Sequence, residues 1–156
     1  MLELRCYKTT QELLAKSFCQ LAEKCYYSAI NTCVIANNDD LVKGLDRVLW
    51  TYSKKHFIPH ATDKDELHDQ QPVYITSLVQ NPNNSKIIIF VNPIREKILE
   101  ALFLFETMMI SKILIIMDDM QKINCTEINY LFQKSYFPTV KMDIYEHQQN
   151  GQWQRI

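Results

Sequence analysis

Four short apolar runs constrain this chain more than any other feature: TCVIA (32–36), PVYITS (72–77), KIIIFV (86–91) and KILIIM (112–117). Each has strand length and is close to continuously apolar. A strand that faces water on one side alternates apolar with polar residues, whereas a continuous run needs cover on both faces. The covers lie between the runs. Leu14, Phe18, Leu21 and Cys25 recur at helical spacing, as do Leu41, Leu45 and Val48, and then Ile94, Ile98, Ala101 and Phe105 after Pro93. This alternation predicts an α/β fold in three layers, a largely parallel sheet with helices on both faces.

The ends of the chain extend the pattern. LELRCYK (2–8) alternates as a half-buried strand does. Thr9 and Glu12 have capping-box spacing, NNDD (37–40) offers a cap and an acidic first turn, and Asn124 and Glu127 repeat the cap spacing before a last helix. KMDIYEH (141–147) and QWQRI (152–156) flank Asn150-Gly151 and are expected as a closing hairpin of antiparallel strands. The stretch 61–71, ATDKDELHDQQ, reads as a loop. With no linker, repeat or low-complexity tract, 1–156 reads as a single domain.

Sheets of this kind often bind nucleotides, but a phosphate cradle needs glycines at a strand-to-helix turn. The chain has two glycines, Gly44 within a helical stripe and Gly151 in the hairpin. The expected topology is therefore nucleotide-binding-like (Rossmann-like) without a phosphate loop, and no cofactor is expected. LIIMDD (114–119) resembles a strand ending in a magnesium-binding Asp. Without the phosphate cradle, Asp118 and Asp119 read as a solvated strand-end loop.

His56, His60 and His68 lie among carboxylates in 56–69, so a metal-dependent α/β enzyme is the alternative reading; their spacing matches no strong ligand pattern. The five cysteines (6, 19, 25, 33 and 125) contain no CxxC and read as reduced thiols in a cytoplasmic protein. Cys19, Cys25 and Cys33 look like small buried hydrophobes rather than partners in a Cys–His nucleophile pair. A net charge of -1 gives no general attraction to nucleic acid, so no direct, specific nucleic-acid binding is expected. The first residues lack a signal-peptide core, and no run approaches the roughly 20 residues of a membrane span.

Two aromatic segments remain. LWTYSKKHFIPH (49–60) carries Trp50 at the edge of its helical stripe and Phe57 just before Ile58, Pro59 and His60. These residues alone leave open whether Phe57 tucks under the sheet or is held out for a partner. In the last helix, CTEINYLFQKSYF (125–137), Ile128, Leu131 and Ser135 share one face, while Asn129, Phe132, Gln133 and Tyr136 form a second stripe beside it. That stripe is either a wide core face or, with Lys134 and Lys141 near in sequence, a place for an apolar group bearing a carboxylate.

Leu45, Leu49, Trp50, Phe57, Pro59 and His60 form the pattern Leu-x-x-x-Leu-Trp followed by Phe-x-Pro-His, and the chain closes on Gly151-x-Trp153. In this pattern, and in element order over nearly its whole length, the chain resembles the chi subunit of the bacterial DNA polymerase III holoenzyme. The resemblance implies a non-catalytic replication accessory protein of nucleotide-binding-like fold. It implies a bridge between the psi subunit of the clamp loader and the acidic, Phe-ending C-terminal tail of single-stranded DNA-binding protein. Trp50, Phe57, Ile58, Pro59 and His60 would face psi, on a side that a repair helicase also uses. Asn129, Phe132, Gln133, Lys134 and Tyr136 would face the tail. The family's pattern there has basic residues where this chain has Asn129, Gln133 and Tyr136; the aromatic is kept at Phe132, and Lys134 is displaced by one position.

Overall fold

Successive side chains of a strand point to opposite faces, and here both faces are covered. In the computed structural model, described over residues 2–55, 57–135, 137–148 and 150–156, Ile88 and Phe90 are buried on one side of the sheet and Ile87, Ile89 and Val91 on the other. The elements in chain order are β1 (Glu3–Lys8), α1 (Leu14–Tyr27), β2 (Thr32–Ala36), α2 (Asp39–Thr51), β3 (His60–Thr62), β4 (Val73–Thr76), β5 (Ile87–Val91), α3 (Arg95–Phe105), β6 (Lys112–Met117), α4 (Cys125–Gln133), β7 (Met142–His147) and β8 (Trp153–Arg155). The strands form one eight-stranded sheet in the order β3-β4-β2-β5-β6-β1-β7-β8.

Helices α1 and α2 cover one face, where Phe18, Leu21, Leu45 and Leu49 meet Val34, Ile75 and Ile89. Helices α3 and α4 cover the other, where Ile98, Phe105, Ile128 and Phe132 meet Cys6, Ile88, Phe90 and Ile115. Each such side chain contributes about 1.5–3 kcal/mol by leaving water. The expected three-layer α/β architecture is what the chain adopts.

Two of the three caps form. Asn38 Oδ1 accepts from Leu41 N at 2.9 Å, and Asn124 Oδ1 accepts from Glu127 N at 2.8 Å. The Thr9–Glu12 box does not. Thr9 N still donates to Met117 O at 2.9 Å, prolonging the β1 ladder, so the chain turns over residues 10–13 and α1 starts at Leu14 without a side-chain cap. The closing strands also differ from expectation. Helix α4 carries the chain back across the sheet, so β7 runs parallel to β1, with Ile144 opposite Cys6, and only β8 is antiparallel. The stretch read as a loop begins within a short edge strand: β3 lies parallel to β4, with His60 opposite Val73.

The cysteine reading is corrected for one pair. Cys6 on β1 and Cys125 at the start of α4 are joined as a disulfide, with Cα atoms 6.5 Å apart, because α4 packs over β1. Cys19, Cys25 and Cys33 are free and buried.

Candidate protein-binding face

Helix α2 buries Val42, Leu45 and Leu49, which leaves Trp50 one position round the helix from the core. The chain rejoins the sheet at His60, where β3 begins. Just before it, Ile58 goes in, almost wholly buried, while its neighbour Phe57 goes out. Phe57 is 55% exposed and Trp50 57%. Phe57 therefore does not tuck under the sheet; Ile58 fills that place.

The two exposed rings meet. The Trp50 and Phe57 centroids are 5.2 Å apart, and the His60 ring lies 4.9 Å from Trp50 and 6.3 Å from Phe57. His60 is the buried floor of this cluster. Its Nδ1 donates to the Ile58 carbonyl oxygen at 2.7 Å, and its Nε2 lies 3.1 Å from Asp46 Oδ1. The second contact is close in distance but off the line of a directed hydrogen bond. Pro59 is half-buried and holds the short path between Ile58 and His60. A cleft of about 470 Å³ opens beside Trp50, lined among others by Val42, Asp46, Arg47, Thr62 and Lys64. Two rings in tilted contact on a fixed floor, next to a cleft, can anchor a protein partner with little loss of side-chain freedom.

The strand ends are occupied by the protein itself. Lys97 Nζ donates to the carbonyl oxygens of Asn37 at 2.6 Å and Ser77 at 2.5 Å, filling the gap where β2 and β5 send their helices to opposite faces. That gap is where open α/β sheets bind nucleotides. Asp118 is buried rather than solvated: Asn92 Nδ2 donates to its Oδ2 at 2.9 Å, and Met120 N to its Oδ1 at 2.9 Å. It ties the ends of β5 and β6 together; Asp119 remains exposed.

Among the described residues of 56–69, the side chains are engaged locally rather than gathered as ligands. His68 Nδ1 donates to Asp65 O at 2.8 Å and its ring stacks on Tyr74, while His56 lies outside the described residues. Among the described residues no three of His, Cys, Asp and Glu gather around a point. Burial pushes the Cys19 thiol up to about 12 and raises the Cys33 and Cys25 thiols, so none is a ready nucleophile.

On α4, Phe132 is wholly buried against Phe137, ring centroids 6.1 Å apart. The second stripe is therefore core at its central residue, and no ligand ring can lie against Phe132. The cause is a wide core face: the segment after α4 folds Phe137 and Val140 onto the same cluster. Asn129 is half-buried, Gln133 Nε2 donates to Val140 O at 3.2 Å, and Tyr136 lies outside the described residues. Lys134 is exposed, its Nζ 5.6 Å from the centre of the exposed Tyr130 ring.

The profile of the DNA polymerase III chi subunit, HolC, family matches residues 1–120. A "Probable DNA polymerase III subunit chi" from Rickettsia prowazekii (strain Madrid E) is 33% identical over 156 residues, covering 100% of this chain and 93% of that protein. The chain belongs to the DNA polymerase III chi-subunit family.

As a chi-family protein it is an accessory replication subunit that assembles within the holoenzyme and is not itself catalytic. The chi-family match takes in the whole Trp50–His60 segment and stops before α4. Sequence reasoning missed Asp46 and Tyr130. Asp46 was findable, since it precedes Trp50 by one helical turn and must share its side of α2. Tyr130 was hidden by the attention that periodicity gives to Phe132.

Proposed function

We propose that this chi-family chain acts as one module, 1–156, that bridges two partners. The Trp50–Phe57 face, with Ile58, Pro59 and His60 supporting it, takes the psi subunit of the clamp loader. A second, weaker site on α4 takes the acidic C-terminal tail of single-stranded DNA-binding protein. The observation that carries the reading is the pair of exposed rings in contact above a buried His60, since desolvated aromatics are the usual hot spots of interfaces. Support for the tail contact is narrower. It rests on the exposed Tyr130–Lys134 pair with Gln133 and Asn129 beside it, Phe132 serving as the core beneath. Joining two weak contacts on one chain raises local concentration without new contacts.

Gel filtration of the purified chain with a psi subunit and single-stranded DNA-binding protein tests the bridge. All three should elute together, and a tail-truncated single-stranded DNA-binding protein should drop out while psi stays. If the two partners displace each other, the bridge is wrong. A repair helicase that competes with psi would show a second user of the same face.

A further inference from the structure

Helix α3 has an outer face that neither proposed partner uses. At about 100° per residue, Ile98, Ala101, Leu102 and Phe105 turn to the sheet and are buried. Glu96, Leu99, Glu100 and Phe103 fall on the opposite side. A helix lying on a sheet normally gives that side to polar residues, yet Leu99 is 46% exposed and Phe103 74%. Next to them a shallow pocket of about 310 Å³ is lined by Val79, Glu100, Phe103, Leu104, Glu106 and Thr107.

The charge around these apolar groups is one-sided. Glu96, Glu100 and Glu106 are exposed, and no ion pair reaches them among the described residues. Both cations of α3 are committed elsewhere. Arg95 pairs with Glu127, and Lys97 is spent on the Asn37 and Ser77 carbonyls.

We propose that this face docks a basic segment of a protein partner. An apolar side chain of the segment would rest on Leu99 and Phe103, and flanking Arg or Lys would meet Glu96, Glu100 and Glu106. Charge selects this occupant over the others. Nucleic-acid backbones, anionic lipid headgroups and acidic peptides are repelled by three exposed carboxylates. A second copy using the same face would bring like carboxylates together. A guanidinium near Phe103 gains from both the ring face and the adjacent carboxylates.

The test is an NMR titration of the isotope-labelled full chain with two probe peptides of equal positive charge. One carries Arg with Leu at helical spacing, the other Arg with Gly and Ser. The Arg/Leu peptide should bind about tenfold tighter or better, with shifts confined to residues 94–107 and Val79. Phe103→Ala should lower its affinity about tenfold, and the paired change Glu100→Lys with Glu106→Lys should lower it as much. Both variants alter exposed side chains, so melting midpoints should hold. Equal binding of the two peptides, shifts away from α3, or no binding would overturn the proposal. Concentration-dependent shifts on α3 without peptide would overturn it in favour of a second copy.

Discussion

Trp50 and Phe57 are seven positions apart in the chain, and their ring centroids are 5.2 Å apart in the fold. One comes from the end of α2 and the other from the chain returning to the sheet, and both stand in solvent. Neighbours of each, Leu49 and Ile58, take the core positions that the rings could have filled. The pairing thus leaves a large apolar surface outside the core without leaving a hole within it.

His60 is expected to hold that pair in place. His60→Ala removes a buried ring and the bond to the Ile58 carbonyl, and should cost about 2–4 kcal/mol of stability. Asp46→Ala removes only the outer contact and should cost about 1 kcal/mol or less. Denaturant melts would give both values. Equal, negligible losses would mean that His60 is no floor.

Phe132 and Lys134 separate core from surface on α4. Phe132→Ala should lower stability by about 3–5 kcal/mol, as truncation of a buried aromatic does. Lys134→Glu should leave the melting midpoint unchanged. In fluorescence anisotropy with an Asp-rich, Phe-ending peptide, it should weaken binding more at low salt than at high, since exposed charges are screened over about 8 Å at physiological salt. A peptide that binds Lys134→Glu as well as the parent chain lies elsewhere.

The Cys6–Cys125 bridge closes 119 residues of chain. Reduction with dithiothreitol should therefore lower unfolding free energy by about 2–4 kcal/mol, largely by freeing the unfolded chain. Paired melts with and without reductant, with thiol counting under denaturant, would measure this. Five titratable thiols before any reductant is added would contradict the bridge.

Magnesium-ATP is expected not to bind specifically. No glycine loop is present to cradle phosphate, and Lys97 fills the gap between β2 and β5. Isothermal calorimetry would show flat heats; a micromolar, magnesium-dependent site would refute the expectation.

Local signals made much of this fold legible. The apolar runs gave the buried strands, and Asn38 and Asn124 announced the starts of α2 and α4, because caps act within one helical turn. Interactions across the chain were not legible. Cys6 meets Cys125 only because α4 crosses over β1, and β3 has three residues, too few to show a period. Thr9 was misread because the β1 ladder reaches one residue further than the capping spacing allowed. Phe132 stayed open between core and binding site because periodicity reports a stripe but not how wide the core beneath it is. Phe57 stayed ambiguous for the reason opposite to Phe132. Its alternation with Ile58 is clear, but one flanking residue decides which of the two points inward, and that depends on where His60 enters the sheet.

The central claim is that the Trp50–Phe57 pair binds a partner rather than supporting the core. Calorimetric titration of a psi subunit into the parent chain and into Phe57→Ala, paired with melts of both, tests it most directly. Affinity should fall by about 2 kcal/mol or more, with the melting midpoint nearly unchanged. A large drop in midpoint with affinity preserved in the folded fraction would contradict the claim and make Phe57 a structural residue.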